Sequence, residues 1–334
     1  MKPYNILVLN PISIVGDIII RGIARGFVKL GHQVLSFDVR DVDEAAVKKF
    51  KPDFVFGLGY AHFFNENTRQ IVEVLKIPVA HYFIDDPNSN FAHSGDLTLY
   101  DKLAQTDGIP PSIIFSWDKH YLNSFKQKAY YLPVGIDIDL YKPNDLPAER
   151  AKIVFTGRPL TDKREQFIAH IVKNFPEGYL HIYSYKAHFD KSVVEMEEKG
   201  FLNKEQIESY KKCYKGFLES EKELAAVYHN SDIILNITME QGPSSMNYRV
   251  LEVLGAGAFL LTDYVEDTAE FFEEDNEFVF YYDFDDLTRK INTYLDNADL
   301  RTRIAGNGRN KIAQYHTLDN RAKKVIEVMS NFIK

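Results

Sequence analysis

The segment Gln241-Gly-Pro-Ser-Ser-Met-Asn-Tyr-Arg-Val-Leu-Glu-Val-Leu-Gly-Ala-Gly257 holds the densest chemistry in the chain, and Ala258-Phe-Leu-Leu-Thr-Asp263 follows it directly. A Gly-Pro-Ser-Ser turn precedes a short helical stretch, two glycines close it, and an apolar strand comes next. At about 100° per residue, Ser245, Arg249 and Glu252 fall in one narrow arc, opposite Val250, Leu251, Val253 and Leu254. A polar stripe on a helix otherwise suited to burial needs a partner, and the free amides of a helix start suit a phosphate. On this reading Ser244 or Ser245 caps the helix, Arg249 adds positive charge, and Glu252 accepts hydrogen bonds from sugar hydroxyls. Those are the requirements of a nucleotide-sugar site. The alternative is an i,i+3 surface ion pair between Arg249 and Glu252, worth about 0.2–0.5 kcal/mol.

Other chemistry-bearing residues stand at strand ends. Asp85-Asp86 closes the apolar run Pro78–Ile84, so its adjacent carboxylates could include a base with a raised pKa; an Asx turn ahead of Pro87 is the competing reading. Gly157-Arg158 follows the strand-like Lys152–Thr156, with Lys163 and Arg164 shortly after. Gly16-Asp17, after the first strand, either contacts a ligand or simply starts a helix. His62 and His81 are weaker candidates, because a lone histidine beside a strand is more often satisfied by one hydrogen bond. Asp137-Ile-Asp139 and Asp283-Phe-Asp285 have the Asp-x-Asp form that can hold a divalent ion. The first lies in a linker and the second opens a helix, so solvated caps are the preferred reading and no metal is expected.

The elements that must position these groups alternate strand and helix. Strands are predicted at 6–9, 33–37, 54–58, 78–84, 113–116 and 129–132, with helices at 17–30, 42–50 and 67–75. After a linker at 133–150 the pattern restarts, with strands at 152–156, 179–183, 232–236, 259–262 and 278–281. The helices of this half fall at 162–174, 221–230, around Glu252, at 285–297 and at 300–314. Residues 186–212 are charged and helical, with no role assigned. Continuous apolar strands between amphipathic helices indicate parallel sheets covered on both faces. Two such α/β, doubly wound, Rossmann-like domains would face a cleft, with ligands at the carboxyl ends of the strands. The expected boundaries are 1–143 and 151–315, with a helix at 316–334 packing across to the first domain.

Composition fits this picture. A chain of 334 residues with 45% hydrophobic and 26% charged content can bury two cores. A net charge of −8 without a basic block argues against a nucleic-acid partner. Cys213 is the one cysteine, so no internal disulfide or Cys-based zinc site can form. No apolar run approaches the roughly 20 residues of a membrane span. The start shows no signal-peptide pattern, which makes a cytoplasmic location the expectation, with at most peripheral membrane contact.

Four segments in order resemble a glycosyltransferase of the GT-B type, specifically its CgeB-like, group 1-related branch. They are Tyr82–Pro87, Leu132–Asp137 with Tyr141-Lys-Pro143, Phe155–Arg164 and Asn247–Gly257; Lys215-Gly-Phe217 and Leu224–Asn236 also fit. The resemblance spans nearly the whole chain and is more specific in its second half. It implies a nucleotide-sugar donor, UDP-linked by preference, in the second domain. The acceptor, a saccharide, glycolipid or protein, would lie in the first. Glu252 would then bind the ribose hydroxyls, and Gly157 would let the backbone approach closely. Arg158 and Arg164, with Lys163, would neutralise the diphosphate, and Gly216-Phe217-Leu218 would face the base. Ser244, Ser245, Met246, Asn247 and Arg249 complete the donor-site candidates, and Gly16, Asp17 and His62 the acceptor side. Many relatives carry a second Glu about two turns before the ribose-binding one, whereas Ser244 and Ser245 stand here.

Sugar transfer needs charge stabilisation on the departing diphosphate, which arginines and helix-start amides supply without a metal or other cofactor. Arg164 is the expected catalytic cation, with Asp85 or Asp86 as general base. A dehydrogenase would want Gly-x-Gly-x-x-Gly after a strand, and Gly16 and Gly22 are too far apart for it. A nucleotide-sugar epimerase, or a non-catalytic sugar-binding protein of the same fold, remains the alternative.

Overall fold

A computed structural model describes residues 2–11, 14–58, 66–84, 112–125, 127–238 and 244–333. The chain divides into two compact units, Met1–Asp137 with Gln241–Ser245 and His316–Lys334, and Ile138–Glu240 with Met246–Tyr315.

In the first unit β1 (Asn5–Asn10), α1 (Ile14–Lys29), β2 (Gln33–Asp38), α2 (Glu44–Phe50), β3 (Phe54–Leu58), α3 (Glu66–Leu75), β4 (Val79–Phe83), β5 (Ser112–Ser116) and β6 (Lys128–Tyr131) follow in order. The strands pair in parallel in the order β2-β1-β3-β4-β5-β6. Ile6–Leu9, Phe54–Phe56 and Val79–Tyr82 are fully buried, as expected of strands covered on both faces. Gly31 takes φ +88° just past α1, the left-handed geometry that closes a helix without a Cβ penalty.

The last helix, called αC here (Leu318–Phe332), opens with a capping box between Thr317 and Asn320. It lies along α1, where two glycines one turn apart allow a close approach. A Cβ at Gly22 would run into the Leu318 side chain, and one at Gly26 would lie 2.5 Å from the Ala322 Cβ. Arg321 Nη2 donates to the Val134 carbonyl at 3.0 Å, and Ile136 bridges to Thr317.

The second unit holds β7 (Ala151–Thr156), α4 (Asp162–Asn174), β8 (Leu180–Tyr183), α5 (Lys186–Glu198), α6 (Lys204–Lys212), β9 (Tyr214–Gly216), α7 (Glu221–His229), β10 (Ser231–Asn236), α8 (Tyr248–Ala256), β11 (Leu260–Asp263), α9 (Glu266–Phe271), β12 (Val279–Tyr281), α10 (Phe284–Leu295) and α11 (Ala298–Tyr315). Its sheet is parallel, in the order β12-β11-β10-β7-β8-β9. Counted within the unit this is the 3-2-1-4-5-6 winding, whose direction reverses between β7 and β10. The charged stretch 186–212 forms α5 and α6, which put Phe189, Met196, Ile207 and Tyr210 into this unit's core. Lys199, just past α5, joins Asp162, Glu165 and Glu195 at 2.9, 2.6 and 2.7 Å. The role of 186–212 is therefore to cover one face of the sheet.

Replacing Gly26 by Val should force α1 and αC apart. The expected loss is about 1–3 kcal/mol of unfolding free energy, as for other overpacked cores. Chemical denaturation measures it, and an unchanged midpoint would show that the two helices do not rely on this contact.

Candidate functional site

The reversal between β7 and β10 is where an open α/β sheet leaves a crevice at its strand ends, and the basic candidates gather there. β7 runs out at Thr156, and Gly157 turns at φ +116°, a conformation that favours glycine. A Cβ at Gly157 would sit 3.3 Å from Arg249 Nη2, so the glycine also leaves room for that guanidinium. Thr161 holds φ +134°, which a β-branched residue avoids at a cost of about 1–3 kcal/mol, while its hydroxyl accepts from the Arg164 amide and caps α4. From the first turn of α4, Arg164 Nε donates to the Ile237 carbonyl and Nη1 to the Arg158 carbonyl, both at 2.8 Å. One guanidinium thus spans the segments leaving β7 and β10. Burial, and next the positive charge of Arg249, push the Arg164 guanidinium down to about 10.

α8 supplies Arg249 and Glu252. Their pair is one helical turn long, Nη1 to Oε2 at 2.5 Å, but it is not the surface pair of the alternative reading, since the side chains are only 21% and 11% exposed. Tyr141 donates its hydroxyl to Glu252 Oε1 at 3.0 Å, and Tyr228 accepts from Arg249 Nη1 at 2.7 Å while bonding Thr156 Oγ1. Burial raises Glu252 above the ordinary carboxyl value against the pull of Arg249, and the Glu252 charge contributes to the raised value of Arg249. A carboxylate has about four lone-pair sites, so Glu252 retains acceptor capacity beyond Arg249 and Tyr141.

The start of α8 differs from the sequence expectation. Asn247 is the N-cap, its side chain accepting from the Val250 amide, and the helix begins at Tyr248. Ser244 and Ser245 precede it and do not cap it, so Ser245 does not share a helical arc with Arg249 and Glu252. Their amides are also not free for a phosphate. Ser244 N and Ser245 N donate to Asp118 Oδ2 at 3.2 and 3.1 Å, and Ser244 Oγ donates to Oδ1 at 2.9 Å. A fully buried carboxylate needs such donors, and it takes the amides a ligand would otherwise meet. Met246 is buried between Ser245 and the cap. Asp118 also accepts from the His120 amide, and His120 Nδ1 stands 3.0 Å from Ser244 Oγ. Burial raises the Asp118 carboxyl, but the donors from His120, Ser244 and Ser245 outweigh it and hold it below the ordinary aspartate value.

The remaining candidates are placed as follows. Lys163 Nζ is 2.6 Å from Asp263 Oδ2, and Asp263 also accepts from Thr238 N, so this ammonium is already neutralised. Gly216 turns at φ +112°, and Phe217, 45% exposed, stacks on Tyr185 with ring centroids 3.9 Å apart, offering a flat apolar face beyond β8 and β9. Gly16 and Asp17 lie in the first turn of α1, and Asp17 pairs with Arg21 one turn on. His81 is buried in β4. Asp85, Asp86 and His62 lie outside the described residues. The Asp-x-Asp pairs have other uses: Asp137 pairs with Arg25, Asp139 with Lys142, and Asp283 caps α10.

Three participants went unassigned in the sequence. Tyr141 and Tyr228 stood inside recognised segments with no role assigned, and only the fold turns their hydroxyls toward Glu252 and Arg249. Asp118 carries the faint signal of an acid directly past an apolar strand.

Residues 163–327 match the glycosyl transferase-like family. No curated protein matches the chain. Among solved structures, a glycosyltransferase from Rickettsia africae ESF-5 is 14% identical, with full coverage of both chains and a TM-score of 0.71. Sucrose-phosphate synthase from Thermosynechococcus elongatus is 12% identical over 98% of this chain and 99% of its own, at 0.69. The Anabaena protein HepE, in complex with UDP and glucose, is 13% identical over 98% and 100%, at 0.65. At these identities the likeness shows the fold, which is GT-B.

The Asp118 anchor makes a pH-dependent prediction. A carboxyl whose folded value lies below its unfolded one adds stability that is complete above the unfolded value, near 3.9, and is lost as pH falls through the folded value. Asp118→Asn should therefore cost about 1–3 kcal/mol at neutral pH, a gap that closes as wild type and variant are compared at falling pH below about 4. A gap of constant size down to the acid limit would refute the assignment.

Proposed function

We propose that this chain transfers a sugar from a nucleotide donor, UDP-linked by preference, to a hydroxyl of a saccharide, glycolipid or protein acceptor. The observation that carries the reading is the half-buried Arg164 guanidinium, held at the β7–β10 reversal beside the like charge of Arg249. Two cations crowded in a low-dielectric site gain by receiving an anion, and the diphosphate of a sugar nucleotide is an anion of suitable charge. Arg158, exposed next to Gly157, adds a third. Glu252, one helical turn from Arg249, is the group that would accept the ribose hydroxyls, and the exposed Phe217 face would take the base. The fold shared with glycosyltransferases and the match of residues 163–327 support the same class, and the CgeB-like branch is the part of it whose segments this chain resembles. The preference for UDP draws on the UDP bound by HepE.

In this mechanism the bond from the anomeric carbon to the diphosphate oxygen lengthens first, and the electron pair goes to the leaving group. Arg164 and Arg158 stabilise that developing charge, which is the role a preorganised cation fills best. The acceptor hydroxyl attacks the oxocarbenium-like carbon and loses its proton to a base, for which Asp85 and Asp86 are the candidates.

A thermal-shift panel of UDP-, GDP-, ADP- and TDP-sugars should give stabilisation with one base class, UDP first. Arg164→Gln should lower turnover about 10²–10³-fold. Glu252→Gln should weaken donor binding about 10–100-fold, corresponding to roughly 1–3 kcal/mol for an unmet buried polar contact. Stabilisation by none of the donors, or full turnover in Arg164→Gln, would overturn the proposal.

A further inference from the structure

A cavity of about 550 Å³ opens in the second unit at the other end of the same sheet. Its lining includes Arg150, which leads into β7, Ser231, which starts β10, and Phe259, which leads into β11, so it lies at the amino ends of these strands. Arg158, Lys163 and Arg164 stand at the carboxyl ends, a strand length away, while Tyr228, whose hydroxyl accepts from Arg249, lines this cavity as well. The charge of this cavity is strongly one-sided. Arg150, Arg301 and Arg309 line it with His229, against the single carboxylate of Asp232. That carboxylate is already shared, accepting from Arg301 at 2.9 Å, Lys152 at 3.0 Å and Arg150 at 3.3 Å.

The arginines are not equivalent. Arg301 is buried and committed, since it also donates to the Tyr294 and Leu295 carbonyls at the end of α10. Arg150 is 77% exposed and holds Asp232 at the margin of hydrogen-bond distance. Arg309 lays its stem against Gly257, where a Cβ would stand 3.1 Å from its Cδ, and spends Nη1 on the Gly255 carbonyl. Among the described residues no carboxylate forms an ion pair with Arg309. The first turn of α11 contributes Ala298, Arg301 and Thr302 to the wall, so the positive end of that 18-residue helix adds to the field. Burial and the Arg309 charge also hold the His229 imidazole below its ordinary value, as a positive surrounding would.

We infer that this cavity is a second anion site, separate from the donor site, which takes a small phosphate ester such as a sugar phosphate. Its volume falls within the range of small-molecule pockets, and guanidinium groups match phosphate oxygens in geometry as well as charge. Whether the chain transfers sugars does not enter this inference.

Gly306 provides a steric test. It lines the cavity, a Cβ there meets nothing within 4 Å, and it lies inside α11, where almost any residue is a better helix former than glycine. Isothermal titration of the full chain with glucose 6-phosphate, and separately with inorganic pyrophosphate, should show binding. Gly306→Phe, and independently the pair Arg150→Gln with Arg309→Gln, should weaken glucose 6-phosphate binding at least tenfold, with thermal unfolding confirming that each variant is folded. Arg164→Gln should leave glucose 6-phosphate binding intact. The inference fails if the wild type binds neither probe, if the cavity variants bind as the wild type does, or if Arg164→Gln alone abolishes binding. Loss of the donor-sugar thermal shift in Arg164→Gln with an intact second site would separate the two sites.

Discussion

The structure of the candidate site depends on one ion pair removed from water. Arg249 and Glu252 are spaced one helical turn apart on α8, whose residues from Val250 to Ala256 are all buried. Removing both charges from solvent costs several kcal/mol per ion, which their attraction repays only if further hydrogen bonds complete the geometry. Those bonds come from three directions: Tyr141 from the chain entering the second unit, Tyr228 from α7, and Thr156 at the end of β7 through Tyr228. An apolar replacement of the same volume would satisfy the core at least as well.

The same constraint distributes charge through the second unit. At the carboxyl ends of β7, β10 and β11, Arg158, Lys163, Arg164 and Arg249 stand near Glu252 and Asp263, and Asp263 is engaged by Lys163 and by the Thr238 amide. At the amino ends Asp232 alone answers Lys152, Arg150 and Arg301. The chain carries a net charge of −8, so the excess of cations lining the cavity at the amino ends runs against the bulk composition. In the first unit the balance is reversed at one point. Among the described residues the buried Asp118 carboxylate is answered by amides, a hydroxyl and the His120 ring. Anion and donors have changed places there, and the segment before α8 is shaped by a carboxylate of the protein itself.

Much of this architecture is legible in local pattern. Short β-branched apolar runs such as Ile6–Leu9 and Ile233–Leu235, set between turn residues, read as strands buried on both faces, and the helices between them follow from their periodicity and caps. The positions of Gly157 and Gly257 at turns with positive φ follow from residue type. Arg249 and Glu252 on one face of a short helix follow from spacing. The charged stretch 186–212 was readable as helical but not as core-forming, because apolar residues scattered among many charges do not show which face they turn inward until a sheet is there to receive them.

What the amino-acid order determined alone is thus periodicity, handedness and the placement of polar residues along single elements, since those rest on contacts between neighbours in the chain. The cap of α8 shows where that ends. Ser244, Ser245 and Asn247 are all good caps by type; Asn247 takes the role, while the two serines ahead of it give their amides to Asp118, more than a hundred residues earlier. Whether the Arg249–Glu252 pair lies on the surface or in the core was likewise decided by Tyr141 and Tyr228. Burial and long-range partners depend on which distant segments fold against a side chain, and only the tertiary structure supplies them.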